Sequence, residues 1–131
     1  MVRKPKDGEV LKPYPLGDAP EIGAKFEKHP AWETAASDWL YVDPEGFRHQ
    51  LVWLKKKYGN IKFFVTENGY SSKSGLDDQQ RVDYHKAYLK QLLLAIKEDG
   101  VDVTGYSAWT LMDNFEWMDG YSIKFGLYQV D

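Results

Sequence analysis

The sequence predicts an α/β fold with parallel strands, and three observations carry that reading. Predicted helices and strands alternate along the chain, which is the pattern of βαβ units. The segment 61–66, IKFFVT, is apolar on both faces after Lys62, as in strands covered by helices. Its end delivers a carboxylate, Glu67, straight into an Asn-Gly turn. The C-terminal ends of parallel strands form the functional face of such folds.

Each element has a local reason. Residues 1–41 hold most of the prolines and no sustained period, so they are expected to form a long loop region with at most short pieces of structure. A helix is expected from Asp43-Pro44, an N-cap acid followed by proline at the first helical position. Phe47, Leu51, Leu54 and Tyr58 recur on one of its faces, Lys55, Lys56 and Lys57 form its solvated end, and Gly59-Asn60 stops it. The strand 61–66 follows. After the turn ENGYSSKSGL, a second helix is expected to start at Asp77 with Gln80 completing a capping box. Its apolar stripe is Val82, Leu89, Leu92, Leu93 and Ile96, and Gly100 terminates it. A second strand is expected around 102–109. The last stretch is aromatic, acidic and glycine-punctuated, without a clear period.

Two parallel strands and two helices cannot close a core alone. The stripes ask for more strands and helices than these residues supply, which predicts a piece of a larger α/β architecture.

Bulk properties narrow the chemistry. At 131 residues, 43% hydrophobic and 28% charged, the chain is the size of one globular domain. A net charge of −3 gives no electrostatic reason to expect nucleic acid or an anionic membrane as partner. The absence of cysteine excludes a disulfide framework, a thiolate metal site and a cysteine nucleophile. No apolar run approaches the ~18 residues that span a membrane, and MVRKPKDGEV is too polar for a signal peptide. Localisation stays open. The three histidines show no metal-ligand spacing: His29 is expected in the loop region, and His49 and His85 on the predicted helices, at their surfaces or behind the site.

Glu67 admits two readings from its own segment, a solvated or amide-capping acid and a catalytic group. WTLMDNFEW, Trp109–Trp117, lies just past the second strand and on the same face if the strands are parallel. Its tryptophans offer flat faces suited to the C–H faces of sugars, and its acids can accept from neighbouring hydroxyls.

FFVTENGY, YSAWTLMDNFEW and GYSIKFGLYQVD together resemble glycoside hydrolase family 1, the family of β-glucosidases, lactase-like enzymes, thioglucosidases and klotho-type relatives. The resemblance covers about Lys28 to Asp131. It implies a partial (β/α)8 TIM barrel, the C-terminal portion around strands seven and eight, with residues 1–41 as loop region and 42–131 as helix-strand-helix-strand plus active-site loop. It implies that Glu67, in the Thr-Glu-Asn-Gly motif, is the nucleophile. Trp109 would form the platform under the sugar, Glu116 and Trp117 would bind its hydroxyls, and Phe125 would line the same subsite. No cofactor or metal is implied. The reaction is retaining hydrolysis of β-glycosides, in which two carboxyl groups stand roughly 5–5.5 Å apart.

The acid/base glutamate of the family lies in an Asn-Glu-Pro motif, which these residues do not contain. Asp113 looks loop-ordering, and Glu116 is claimed by recognition. The chain alone is therefore expected to be inactive, the remainder of the barrel being the partner that activity needs. Two further readings stand beside this one: a non-catalytic klotho-like binding module, and a truncated product without independent function.

Overall fold

A computed structural model describes residues 2–11, 18–73 and 75–130. Positions 12–17 of the long N-terminal segment, Ser74 of the turn after the first predicted strand, and Asp131 lie outside the described residues. The chain divides into two compact units, Met1–Trp32 and Glu33–Asp131.

The first unit is built on a short antiparallel pair, β1 (Val2–Arg3) with β2 (Lys25–Phe26). The Arg3 guanidinium bridges Glu9 at 2.7 Å and Glu27 at 2.6 Å. Hydrogen bonding to Arg3 pulls the Glu9 carboxyl down to about 2 and holds Glu27 below its ordinary value. A single 3-10 turn, Pro20–Ile22, ends at Gly23.

The second unit opens with a hairpin of β3 (Glu33–Thr34) and β4 (Tyr41–Val42), then runs α1 (Pro44–Tyr58), β5 (Phe63–Val65), α2 (Gln79–Lys97) and β6 (Val103–Tyr106). A second 3-10 turn covers Trp117–Asp119. Strands β5 and β6 pair in parallel, with Phe63 opposite Val103, Phe64 opposite Gly105 and Val65 opposite Tyr106. Thr104 is the extra residue of a bulge in that register, and its hydroxyl donates to the Phe63 carbonyl at 3.0 Å. Among the described residues the strands close no barrel.

The first helix starts as its sequence demands. Asp43 is the N-cap, its carboxylate accepts from the Gly46 amide at 3.0 Å, and Pro44 opens the helix. At the other end Lys55 is not merely a solvated charge. Its Nζ donates to the carbonyls of Asp99 and Gly100 at 2.7 and 2.9 Å, so a lysine of α1 satisfies backbone acceptors just past the end of α2. Arg48 adds ion pairs to Asp99 and Glu98. Gly100 turns the chain with a φ of 64°, and Val101 returns its amide to the Ala95 carbonyl.

The start of α2 differs from the sequence reading. The capping box expected at Asp77 and Gln80 does not form, because the helix begins one residue later, behind Asp78. Arg81 takes the Asp78 carboxylate as an ion pair, leaving it unavailable to the backbone. The buried face is also different. Arg81, Tyr84, Tyr88, Leu92 and Ala95 face inward, whereas Val82, Leu89 and Leu93 are exposed.

One core joins Leu51 of α1, Val65 of β5, Leu92 and Ala95 of α2, and Val101. A second, aromatic core gathers Ala35, Tyr70, Tyr84 and Tyr88, with the Tyr84 and Tyr88 rings stacked at 4.1 Å. The opposite face of the β5–β6 pair is bare, and Phe64 on it is 58% exposed. No helix among the described residues is long and apolar enough to cross a membrane.

Candidate active site

Parallel pairing puts the C-terminal ends of β5 and β6 side by side, so Glu67 and Trp109 emerge at the same edge of the sheet. The backbone joins them there. The Trp109 amide donates to the Asn68 carbonyl at 2.8 Å, and a cis peptide links Trp109 to Thr110. Gly69 is required at the crossing, because a Cβ on it would overlap the Trp109 carbonyl.

The segment after Trp109 folds back through paired backbone bonds. Thr110 donates to the Phe125 carbonyl, and Leu127 donates to that of Thr110. Asp113 fastens this loop. Its side chain is 2% exposed, accepts from the Gly126 amide at 2.8 Å and the Val130 amide at 3.0 Å, and lies 3.7 Å from the Lys124 ammonium. That is the loop-ordering role its position suggested.

The result is a cleft of about 340 Å³ that brings together all five sequence-predicted residues: Glu67, Trp109, Glu116, Trp117 and Phe125. Glu67 is exposed at its wall. The Trp109 indole Nε1 donates to Glu116 Oε1 at 3.2 Å, which ties that ring to the second acid of the cleft. Trp117 is 82% exposed with a φ of 50°, a left-handed conformation that is uncommon for a bulky residue and concentrates at functional sites. Phe125 is buried and stacks on Trp39 with ring centroids 6.4 Å apart. Its ring therefore helps build the floor of the cleft.

Sequence reasoning missed five further lining residues: Trp39, Leu40, Asn68, Gly69 and Tyr84. Trp39 and Leu40 come from the β3–β4 connection, where no period announces them. Asn68 was read as a turn residue only. Tyr84 sat outside the expected stripe of α2, although its spacing of four from Tyr88 was a usable signal. The cleft holds two carboxylates, Glu67 and Glu116. Among the described residues no group of three His, Asp or Glu side chains gathers as a metal site.

The model of glycosyl hydrolase family 1 matches residues 12–131. Lactase/phlorizin hydrolase of Rattus norvegicus is 55% identical over 89 residues, which are 67% of this chain and 5% of that protein. An aphid myrosinase structure aligns with a TM-score of 0.78 at 43% identity, covering 86% of this chain and 24% of its own. The rice Os3BGlu6 β-glucosidase, solved as a mutant in a covalent complex with Glc, aligns with a TM-score of 0.78 at 40% identity, covering 86% of this chain and 26% of its own. The chain thus spans from 5% to 26% of the length of these relatives. With strand ends, cleft and motifs in agreement with a match across nearly its whole length, the chain belongs to glycosyl hydrolase family 1.

Proposed function

We propose that these 131 residues form the C-terminal part of a (β/α)8 barrel, β5 and β6 being its seventh and eighth strands, and carry one half of a retaining β-glucosidase-type site. One observation carries the reading: Glu67 shares a cleft with Trp109, Glu116, Trp117 and Phe125. Glu67 is the nucleophile. It attacks the anomeric carbon of a β-glycoside and forms a glycosyl ester as the bond to the leaving oxygen breaks. Trp109 lies under the sugar ring, while Glu116 and Trp117 hold its hydroxyls.

The leaving oxygen needs a proton, and water must later be activated to cleave the ester. Both tasks fall to a second carboxyl group roughly 5–5.5 Å from the first. Glu116 is the other carboxylate of the cleft, and it is engaged by the Trp109 indole. The acid/base therefore comes from chain outside these residues, and the chain alone does not turn over.

The test uses a glucoside with a fluorine at C2 and a dinitrophenolate leaving group, which needs no proton donor to depart. Intact-mass analysis of the purified chain is expected to show one deoxyfluoroglucosyl adduct, absent in Glu67→Gln. An adduct that persists in that variant defeats the assignment of the nucleophile. Steady hydrolysis of nitrophenyl glucoside by the chain, abolished by the same substitution, defeats the claim of inactivity.

A further inference from the structure

Asn68, the residue after Glu67, is held at three points. Its carbonyl accepts from the Trp109 amide at 2.8 Å, its Nδ2 donates to the Tyr84 hydroxyl at 2.9 Å, and its Oδ1 accepts from the Tyr106 hydroxyl at 2.8 Å. A tyrosine hydroxyl has one proton to give. Tyr106 gives its proton to Asn68, so its oxygen can only accept from the next neighbour. That neighbour is His85 Nδ1, 3.1 Å away on α2. The other ring nitrogen, Nε2, is buried without a hydrogen-bond partner among the described residues.

A neutral imidazole has one N–H and one bare nitrogen. With the proton on Nδ1, the N–H meets the Tyr106 oxygen and the bare nitrogen takes the unpartnered position. With the proton on Nε2, an N–H is buried unpaired. The bare Nδ1 would then compete for the Tyr106 proton, and the Asn68 oxygen would lose its donor or the carboxamide would turn over. Both arguments select the same tautomer.

We infer that His85 is a positioning residue of this site: as the Nδ1–H tautomer it orients Tyr106, which orients the Asn68 carboxamide and so the backbone that presents Glu67. The inference rests on the assignment of Glu67 as nucleophile. His85 itself touches no substrate. Burial, and then the charge of Arg81, hold its imidazole below the ordinary value, against the opposing pull of Asp78. The groups facing it are Arg81, Asp78 and the edge-on Tyr84 ring at 5.4 Å from its own helix and cap, and Tyr106 from β6.

Side-chain nitrogen NMR on the ¹⁵N-labelled full chain tests this directly. At neutral pH His85 is expected to show a protonated Nδ1 and a bare Nε2, and the Asn68 carboxamide protons are expected to be protected from exchange. His85→Asn keeps a donor near the Nδ1 position and should preserve the Asn68 signature. His85→Gln places its donor near Nε2, and it and His85→Leu should both lose that protection. A bare Nδ1, a free mixture of tautomers, or Asn68 signals unmoved by His85→Leu would overturn the inference. The adduct at Glu67 is read separately by mass, so failure of the tautomer and failure of the nucleophile are told apart.

Discussion

The Trp109 amide lies 2.8 Å from the Asn68 carbonyl, which places the proposed sugar platform one hydrogen bond from the residue that follows the proposed nucleophile. This crossing leaves no room at Gly69, where a Cβ would overlap the Trp109 carbonyl. Gly69→Ala must therefore push the two segments apart. We expect it to cost about 1–3 kcal/mol, the usual range for forced overpacking, and to slow adduct formation at Glu67. Urea unfolding followed by tryptophan fluorescence reads the first effect, and an unchanged midpoint would show that the crossing relaxes freely.

Asp113 makes a different kind of contact, since its buried carboxylate serves two backbone amides and an ammonium. Removing it leaves the Gly126 amide, which is part-buried, without its acceptor. Asp113→Ala is expected to lose about 1–3 kcal/mol, the range for leaving such a donor unsatisfied. Hydrogen exchange should show the loss concentrated at residues 124–130. Uniform loss across the second unit would argue against a local anchor.

Trp109→Phe separates the two uses of the indole. The flat ring remains, while the Nε1–H that Glu116 accepts disappears. Trp109 is 36% exposed, so stability is expected to stay within about 0.5 kcal/mol. The rate of adduct formation at Glu67 should fall, because Glu116 is no longer held against the platform. An unaltered rate would remove the Trp109–Glu116 bond from the functional reading.

His85 also predicts how stability follows acidity. Its folded value is depressed, mainly by burial, against an unfolded value near 6.5. Between the two the unfolded chain binds a proton that the folded chain refuses. The contribution is therefore fully present above about pH 6.5 and is lost as the pH falls from there through the folded value. Melting temperatures measured between about pH 7.5 and pH 5 should decline in the wild type and decline less in His85→Asn. Carboxylates such as Glu27 and Asp99, held low chiefly by hydrogen bonds from Arg3 and Arg48, lose their contributions only at lower pH.

The parts of this fold that local chemistry dictates were readable from sequence. Asp43-Pro44 began a helix because capping is a three-residue affair, and Glu67 and Trp109 could be expected at one edge of the sheet because both follow strands. The buried face of α2 was not readable in the same way. Periodicity weighs apolar side chains, but that face is filled by Tyr84, Tyr88 and Arg81. The tyrosine hydroxyls meet Asn68 and the Asp43 amide, while the Arg81 guanidinium meets Asp78 through Nε and Ser72 through Nη2. Val82, Leu89 and Leu93, which the pattern favoured, look outward. Leu93→Gln should accordingly change stability by no more than about 0.5 kcal/mol, as thermal melting can check. Strands β1 to β4 escaped notice because two residues are too few to display alternation.

The bulge at Thr104 bears on how the chain finds its alignment. Gly105 stands opposite Phe64, whose ring occupies the space a Cβ at Gly105 would need. A slip of one residue would set that ring against Thr104 or Tyr106, where a side chain already stands. The glycine is thus a notch and the phenylalanine its key. Strands brought together from opposite ends of α2 have one register in which they fit, and that register is the one that sets Glu67 and Trp109 at the same edge of the sheet.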